Sequence, residues 1–354
     1  MYKKIIIIKS CNCLILAALL TALIVPIGCF REAVSERPPI PNIIWPKPPE
    51  VPRISFVNSI SKPSDMKISE GIWEKFLKFF IGRSDAAITS PYGLKVDSDG
   101  RLYVVDSFLK SVHVYDFKEN KYWLFPEEDA TFVSPIDLAV DNKRKYIYVT
   151  DSKEAVIKVF KKEGFEFVKD IKNKTMGRPT GIAINEQTDE LLVVDTINST
   201  VLRFDLSSHN LKGIIGGSGE RDGLFHSPSN IFVTKDGYII VSDSLNFRVQ
   251  IFTSEAVFIR AFGEAGQSPG YFSRPKGVAA DSDGNIYVVD ALFDNIQIFD
   301  KEGRLLMAFG GPGHNYGEFW LPSGIFIDSN DNIYVSDTYN KRVQIFQYIK
   351  GGGY

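Results

Sequence analysis

Short apolar runs separated by polar turn clusters dominate the chain and predict β-strands. In residues 322–346, Ile325 and Ile327 stand two positions apart, as residues on one face of a strand do. Two further apolar runs, Ile333 to Val335 and Arg342 to Phe346, follow after turns rich in Asp and Asn. Three short strands cannot bury both of their faces, so this unit requires neighbours.

Copies of the same pattern supply those neighbours. Six copies start 44, 44, 49, 47 and 47 residues apart, at Pro91, Pro135, Pro179, Pro228, Pro275 and Pro322. A fourth strand is predicted after several copies, at Leu211–Ile215, Phe258–Phe262 and Leu305–Phe309. A period in the forties with no helix between strands is typical of a β-propeller. The pattern therefore predicts an all-β, six-bladed β-propeller of four-stranded blades.

The last copy lacks a fourth strand, because only QYIKGGGY follows Phe346. An unassigned strand pattern, Arg53–Ile60, precedes the first copy. We expect this N-terminal strand to complete the last blade, which would close the ring and remove an exposed edge.

The repeat consensus, P-x-G-[IV]-x-[VI]-D-x-x-G-x-[IL]-Y-V-x-D-[ST]-x-N-x-R-V-Q-I-F, resembles the NHL repeat over residues 91–346. The residues that carry the resemblance best are Gly324, Asp328, Asp337, Asn340, Arg342 and Gln344. The earlier copies depart from it, with Ser111, Val156 and Thr200 at the position of Arg248 and Arg342. The resemblance implies a six-bladed propeller but not one function, because NHL propellers serve as protein- or RNA-binding platforms and as hydrolase or lyase scaffolds.

Residues 1–28 resemble a bacterial lipoprotein signal peptide. Three Lys at positions 3, 4 and 9 precede the apolar run Leu14–Ile27, and Gly28-Cys29 ends it. Pro26 and Ile27 depart from the usual residues before the lipidated Cys. The alternative is a retained transmembrane anchor over Cys11–Phe30, which is about long enough to span a bilayer.

Cysteine usage favours lipidation at Cys29. The other two cysteines, Cys11 and Cys13, lie inside the signal. A cleaved chain would therefore keep only the Cys29 thiol, at its N-terminus, and this thiol would form the thioether bond to the lipid anchor, which also carries a fatty acid such as palmitate. Phe30 follows Cys29 where Asp would retain an enteric lipoprotein at the inner membrane. We therefore expect a membrane-anchored lipoprotein on the periplasmic or cell-surface side, at the outer membrane.

The rest of the chain divides by composition. Residues 29–52 are a Pro-rich tether, residues 53–349 the propeller, and residues 350–354 a Gly-rich tail. An insertion at 69–81 has the pattern of an amphipathic helix. This helix either packs on the propeller or forms a docking surface for a partner or membrane.

Charge argues against nucleic acid as a partner. The formal net charge is −2, and removal of residues 1–28 takes away three Lys and no acid, which leaves −5. Non-specific nucleic-acid binding requires a net positive charge.

We expect the propeller to be monomeric.

The loops that lead into the last three copies share the frame G-x2-G-x3-G-x-F-x2-P, at residues 216–228, 263–275 and 310–322. We expect their Phe residues, Phe225, Phe272 and Phe319, to wedge between blades. The residues that vary on this frame are candidates for partner recognition. They are Arg221, Asp222, His226, Arg274, His314, Tyr316 and Trp320.

Each copy also has an Asp after its second strand: Asp106, Asp151, Asp195, Asp243, Asp290 and Asp337. The repeated position favours a turn cap that accepts backbone N–H bonds. The alternative is a ring of carboxylates that binds a cation.

Enzymatic chemistry has little support in the sequence. Of the four His, only His226 and His314 lie in equivalent loops, and no zinc or nucleophile motif is present. Asn230, at a position where other copies have Gly or Asp137, is one polar candidate for the channel. No catalytic residue and no required cofactor is predicted, with calcium as the open alternative.

The sequence thus predicts a lipid-anchored module that binds or scaffolds an envelope protein or polysaccharide. The alternatives are an envelope hydrolase or lyase with calcium in the channel, and a sensor of a small ligand.

Overall fold

The computed structural model describes residues 40–66, 86–126 and 132–350. The predicted signal peptide, Cys29 and the predicted helix at 69–81 lie outside the described residues. Within the described ranges the chain forms 25 strands, β1 to β25, and two short 3₁₀ helices, Pro63–Met66 and Ser244–Asn246. No helix in this part of the chain is long and apolar enough to cross a membrane.

The strands form six antiparallel sheets, one for each sequence copy, which confirms the predicted propeller of four-stranded blades. The strands of blades 1 to 3 are β3 (Pro91–Val96), β4 (Arg101–Asp106), β5 (Ser111–Asp116) and β6 (Lys121–Phe125); β7 (Pro135–Asp141), β8 (Tyr146–Asp151), β9 (Val156–Lys161) and β10 (Phe167–Lys172); and β11 (Pro179–Asn185), β12 (Glu190–Asp195), β13 (Thr200–Asp205) and β14 (Leu211–Gly216).

Blades 4 to 6 follow the same order. Their strands are β15 (Asn230–Val233), β16 (Ile239–Asp243), β17 (Arg248–Phe252) and β18 (Phe258–Phe262); β19 (Pro275–Ala280), β20 (Ile286–Asp290), β21 (Asn295–Phe299) and β22 (Leu305–Gly310); and β23 (Ile325–Ile327), β24 (Asn332–Asp337) and β25 (Arg342–Tyr348), with β2 (Ile54–Ile60) and β1 (Ile44–Trp45) in the last sheet.

In the last sheet, β2 pairs antiparallel with β25, with Ile54 opposite Tyr348. The two-residue β1 pairs with β2, a strand that the Pro-rich composition of residues 29–52 did not indicate. Its Trp45 ring lies 5.6 Å from Phe309 and 5.8 Å from Phe346, so the segment before β2 is packed against blades 5 and 6.

Blade 6 contacts blade 1 through side-chain hydroxyls. Ser336 donates to the carbonyl of Tyr92 at 2.6 Å, and Thr338 donates to that of Pro91 at 2.8 Å. These bonds satisfy buried carbonyls where two sheets meet without backbone pairing. The first and last copies are thereby neighbours in the ring.

Apolar side chains fill the spaces between neighbouring blades. Phe225 packs between blades 3 and 4, Phe272 between blades 4 and 5, and Phe319 between blades 5 and 6, and each is 0% exposed. The predicted role of these three residues as wedges is confirmed. Each enters from a connecting loop, which therefore takes part in the core.

The innermost strands approach one another too closely for most side chains at the third position of each copy. A Cβ on Gly181 would lie 2.7 Å from the Cα of Asn230 in the next blade. Four of the six copies have Gly here, and the exceptions are Asp137 and Asn230. This level is therefore a constriction around the ring axis.

Candidate partner-binding face

Two sets of connections lie at the same end of every blade. Because the strands are antiparallel, the turn after the second strand meets the start of the first. The Ser107 N–H donates to the Ser90 carbonyl at 3.1 Å in blade 1, and Ala291 donates to Arg274 at 3.0 Å in blade 5. The loops between blades also end here. We call this end the loop face.

A buried Asp follows each second strand, and in blades 1, 2 and 5 it accepts backbone N–H bonds from the turn that comes next. Asp106 accepts backbone N–H bonds from Thr89 at 2.6 Å and from Leu109 at 2.9 Å, which joins the turn to the preceding loop. Burial raises the pKa of Asp106, but the bonds from His113, Leu109 and Thr89 outweigh it and lower the pKa overall. The predicted turn cap is confirmed here, and the six Asp are all 0% exposed.

The residues that define the repeat hold the loops between blades. Arg342 donates through Nε to the Asp337 carboxylate at 2.7 Å. Its other nitrogens donate to the carbonyls of His314 at 3.0 Å and Glu318 at 2.9 Å. Gln344 donates to the same Glu318 carbonyl at 2.6 Å. These charge-assisted bonds fix the backbone of the loop 310–322.

Blade 4 repeats this clamp. Arg248 donates to Asp243 at 2.9 Å and to the carbonyls of Arg221 at 3.0 Å and Leu224 at 2.9 Å. Gln250 donates to the Leu224 carbonyl at 2.6 Å. The first three copies lack this Arg and also lack the Gly-rich loop. Blade 5 has the Gly-rich loop but carries Asn295 in place of the Arg, and there Gln297 donates to the Tyr271 carbonyl at 2.8 Å. The repeat Gln therefore occurs with the loop in all three blades, whereas the Arg occurs in blades 4 and 6.

All seven residues predicted for partner binding are exposed on these loops. They are Arg221, Asp222, His226, Arg274, His314, Tyr316 and Trp320. The structure does not bring them into one cluster: three belong to the loop before blade 4, one to that before blade 5 and three to that before blade 6. In the first loop, Asp222 lies 3.6 Å from the Arg248 guanidinium.

Aromatic rings of the loop before blade 6 and of the turn after β24 form a row on the loop face. The ring centroids of His314 and Trp320 are 5.1 Å apart, and those of Trp320 and Tyr339 are 5.4 Å apart. The His314 ring also hydrogen-bonds to Asn340 through Nδ1 at 2.6 Å. Trp320 is 45% exposed and Tyr339 55%. We call His314, Trp320 and Tyr339 the aromatic row.

Tyr316 turns away from this row toward the N-terminal segment. Its ring stacks on Phe56 of β2 at 5.1 Å between centroids. A groove of about 470 Å³ lies beside it, lined by Pro41, Ile43, His314, Asn315, Tyr316 and Arg342.

Cations gather where the innermost strands begin on the loop face. Arg178 and Arg274 immediately precede the first strands of blades 3 and 5 and are exposed. Lys276 lies 5.6 Å from the Tyr92 ring centre. Burial and the Arg274 charge both lower the pKa of Lys276. Burial raises the pKa of Tyr92, whereas the positive charges of Arg274 and Arg178 lower it. Both Arg are therefore close enough to Tyr92 to act on its ionisation.

Below them, Asp137 and Asn230 bond to each other near the axis. Asn230 donates to Asp137 at 3.3 Å, and the same carboxylate oxygen accepts the Ile182 N–H at 3.2 Å. The side-chain oxygen of Asn230, Oδ1, accepts the N–H of Val278 at 3.1 Å. The pair thus joins blades 2, 3, 4 and 5 across the constriction.

The electrostatics of this pair follow from burial. Loss of hydration raises the pKa of Asp137 to about 7, although hydrogen bonds and the Lys95 charge oppose it. Lys95 lies 4.3 Å above the Phe326 ring. Loss of hydration lowers the pKa of Lys95 to about 8, against the Asp137 and Glu186 charges.

These residues do not fit a calcium ion. Calcium takes about six to eight oxygen ligands. Both Asp137 oxygens and the Asn230 oxygen already accept N–H bonds, from Leu138, Ile182 and Val278 among others. Across the described ranges, no group of three or more His, Cys, Asp or Glu side chains is placed to hold a metal.

The NHL repeat, as a sequence profile, matches residues 272–299 and 319–346. These segments contain the first three strands of blades 5 and 6, and the second segment also contains the clamp residues Arg342 and Gln344. Blades 5 and 6 therefore carry NHL repeats.

Solved structures show the same propeller fold as this chain at low sequence identity. A protein of unknown function from Bacteroides thetaiotaomicron is 16% identical, with a TM-score of 0.60 over 83% of this chain and 75% of that chain. An auxiliary nutrient binding protein from the same organism is 14% identical, with a TM-score of 0.60 over 75% and 70%. Virginiamycin B lyase from Staphylococcus aureus is 15% identical, with a TM-score of 0.55 over 75% and 97%.

The likeness extends to the fold alone at these identities. A comparison of the sequence with curated proteins found no match. The function of this propeller therefore depends on its own side chains.

Several residues of the loop face were missed in the sequence. Tyr339, Arg178 and Lys276 lie at positions that vary between copies, and nothing in one copy marks them as exposed. An alignment of the six copies by their capping Asp would have placed Tyr339 at a turn position. The contact of Trp320 with Tyr339 depends on the distance between a loop and a turn, which only the fold sets.

Proposed function

We propose that this protein is a lipid-anchored, extracytoplasmic β-propeller that binds a protein partner in the bacterial cell envelope through its loop face. The observation that carries the proposal is the clamp by Arg342 and Gln344, which holds the loop 310–322 rigid while the aromatic row stays exposed. A pre-organised loop loses little conformational entropy on binding, which favours affinity.

The aromatic composition supports the same function. Trp and Tyr are enriched among the residues that contribute most to binding at protein interfaces. Trp320 and Tyr339 contact each other and keep about half of their surface open to solvent. The lipid anchor at Cys29 remains a prediction from the sequence, and it would hold this face near other envelope proteins.

Photo-crosslinking in native membranes tests the proposal. A photoreactive amino acid replaces Tyr339 on the loop face or, as the control, Lys301 in a turn at the opposite end of blade 5. Tagged protein is captured under denaturing conditions and its adducts are identified by mass spectrometry. We expect one protein adduct from position 339 that is absent from position 301 and is lost with Trp320→Ala. Identical adducts from both positions, or none from position 339, would overturn the proposal.

A further inference from the structure

Large apolar side chains form an exposed ring on the loop face. They share one repeat position, two residues after the capping Asp, in five of the six blades: Phe108, Ile197, Leu245, Leu292 and Tyr339. Phe108 is 71% exposed and Ile197 69%. Lys153 has the same position in blade 2. We call the five side chains the apolar ring.

The turn itself does not require apolar residues. In blades 1 and 5 the capping Asp holds the turn through backbone N–H groups, from Phe108 to Asp106 at 3.1 Å and from Leu292 to Asp290 at 3.1 Å. At the opposite end, the turns between first and second strands are polar, as in 98–100 and 282–284. Exposed apolar groups arranged on one face are typical of an interaction surface.

Cations lie inside this ring. Arg178, Arg274 and Lys276 flank the starts of the innermost strands, which are closer to the axis than the turns that carry the ring. In the part of the chain that the structure describes, none of the three has a carboxylate within 4.0 Å. We call them the cationic centre. Their mutual repulsion would be relieved by an anion.

We propose that the loop face binds an acidic segment of a protein partner, with a carboxylate in the cationic centre and the neighbouring apolar side chains of that segment on the apolar ring. This inference rests on the proposed function, because it names the chemistry of the partner that the function requires. Apolar contacts around a charged contact exclude water from it and strengthen it.

The arrangement favours a protein segment over an anionic lipid surface. The cations are in the centre and the apolar groups surround them, which matches a carboxylate carried between apolar residues on one chain. A membrane presents phosphate across its whole plane and attracts cations spread over a surface. Here Lys153 is the one cation at the ring position.

A peptide library supplies a defined probe. Random peptides displayed on phage are selected against the purified full-length chain, and enriched sequences are synthesised with a fluorophore. We expect enrichment of Asp or Glu beside Leu or aromatic residues. Fluorescence anisotropy then compares the wild type with Arg178→Glu/Arg274→Glu and with Phe108→Ser/Ile197→Ser.

A matched control keeps the charge change constant. Lys235→Glu/Lys301→Glu makes the same change at exposed turns of the opposite end. We expect the dissociation constant to rise about tenfold or more for both loop-face variants and to stay within about twofold for the control. Arg178→Gln/Arg274→Gln, which only neutralises the charges, should give an intermediate loss. Circular dichroism establishes that each variant is folded.

Other results of these experiments would contradict the inference. Failure to enrich acidic peptides, or acidic peptides whose binding survives Arg178→Glu/Arg274→Glu, would overturn the inference. Binding to phosphatidylglycerol vesicles that exceeds peptide binding and is lost in the same variant would assign the face to lipid and overturn it also. A crosslinked partner that still binds these variants would leave the proposed function standing while this inference fails.

Discussion

Replacement of the buried Asp137 by Asn tests the physical account of the channel. Asp137 is 7% exposed and lies at the constriction between the innermost strands. Its pKa is raised from 3.8 to about 7 because burial disfavours the charged carboxylate. The folded state therefore holds this proton more tightly than the unfolded chain does. The stabilisation is complete below the unfolded pKa and is lost as the pH rises through the folded pKa.

The size of this effect follows from the shift. Each pH unit over which only the unfolded carboxyl is ionised costs about 1.4 kcal/mol of stability. The folded Asp137 stays protonated up to about pH 7, so between pH 5 and pH 8 the wild-type protein loses about 2–3 kcal/mol at this site. Asn has nearly the same shape and stays neutral. At pH 5, where Asp137 is protonated, the two proteins should differ by less than about 1 kcal/mol. At pH 8 the variant should be the more stable by about 2–3 kcal/mol.

Urea unfolding followed by tryptophan fluorescence measures these free energies at several pH values. Asp236→Asn is the control, because Asp236 is an exposed turn residue and its loss changes the net charge equally. Its curve of unfolding free energy against pH should run parallel to that of the wild type. If the Asp137→Asn curve is also parallel to the wild type, the carboxylate is not protonated near neutral pH and the reasoning is wrong.

Three further predictions concern the clamp, the core and the anchor. Arg342→Ala should lower the free energy of unfolding by about 3 kcal/mol, since it leaves the charge of the buried Asp337 carboxylate without its ion-pair partner. In the same variant, amide hydrogen exchange should become faster in the loop 310–322 but not in the loop 216–228. Phe272→Ala should cost about 3–5 kcal/mol in urea unfolding because it empties the space between blades 4 and 5, whereas the adjacent exposed Tyr271→Ala should cost less than about 0.5 kcal/mol. Cys29→Ser should abolish metabolic labelling by a fatty-acid analogue and move the protein to the soluble fraction, and labelling that persists would contradict the anchor.

The strand pattern and its period could be interpreted from the sequence because they are local properties. Leu305–Phe309 was predicted as a fourth strand and is β22, Leu305–Gly310. The six proline starts all lie within a few residues of an innermost strand. Alternation of apolar residues and the Asp-containing turns determine these elements without reference to the rest of the molecule.

The structural role of the motif residues could not be predicted from the local pattern. Arg342 and Gln344 were identified as the residues that carry the repeat, but their bonds to the carbonyls of the preceding loop span 24 to 28 residues. The candidate recognition residues lie on exposed loops, and their role in recognition stays a prediction. Their distribution over three loops and the contact of Trp320 with Tyr339 follow from the geometry of the blades.

The sequence by itself determined the number of blades, the strands within them, the capping Asp and the Phe wedges, because these features follow from a local residue pattern that recurs along the chain. Only the tertiary structure determined which residues of different copies lie next to one another. The ring brings Asp137 to Asn230, 93 residues away, and collects the apolar ring and the cationic centre at one end. A single copy contains no information on these neighbours, since they are set by the curvature of the closed assembly and by which residues each copy places nearest the axis.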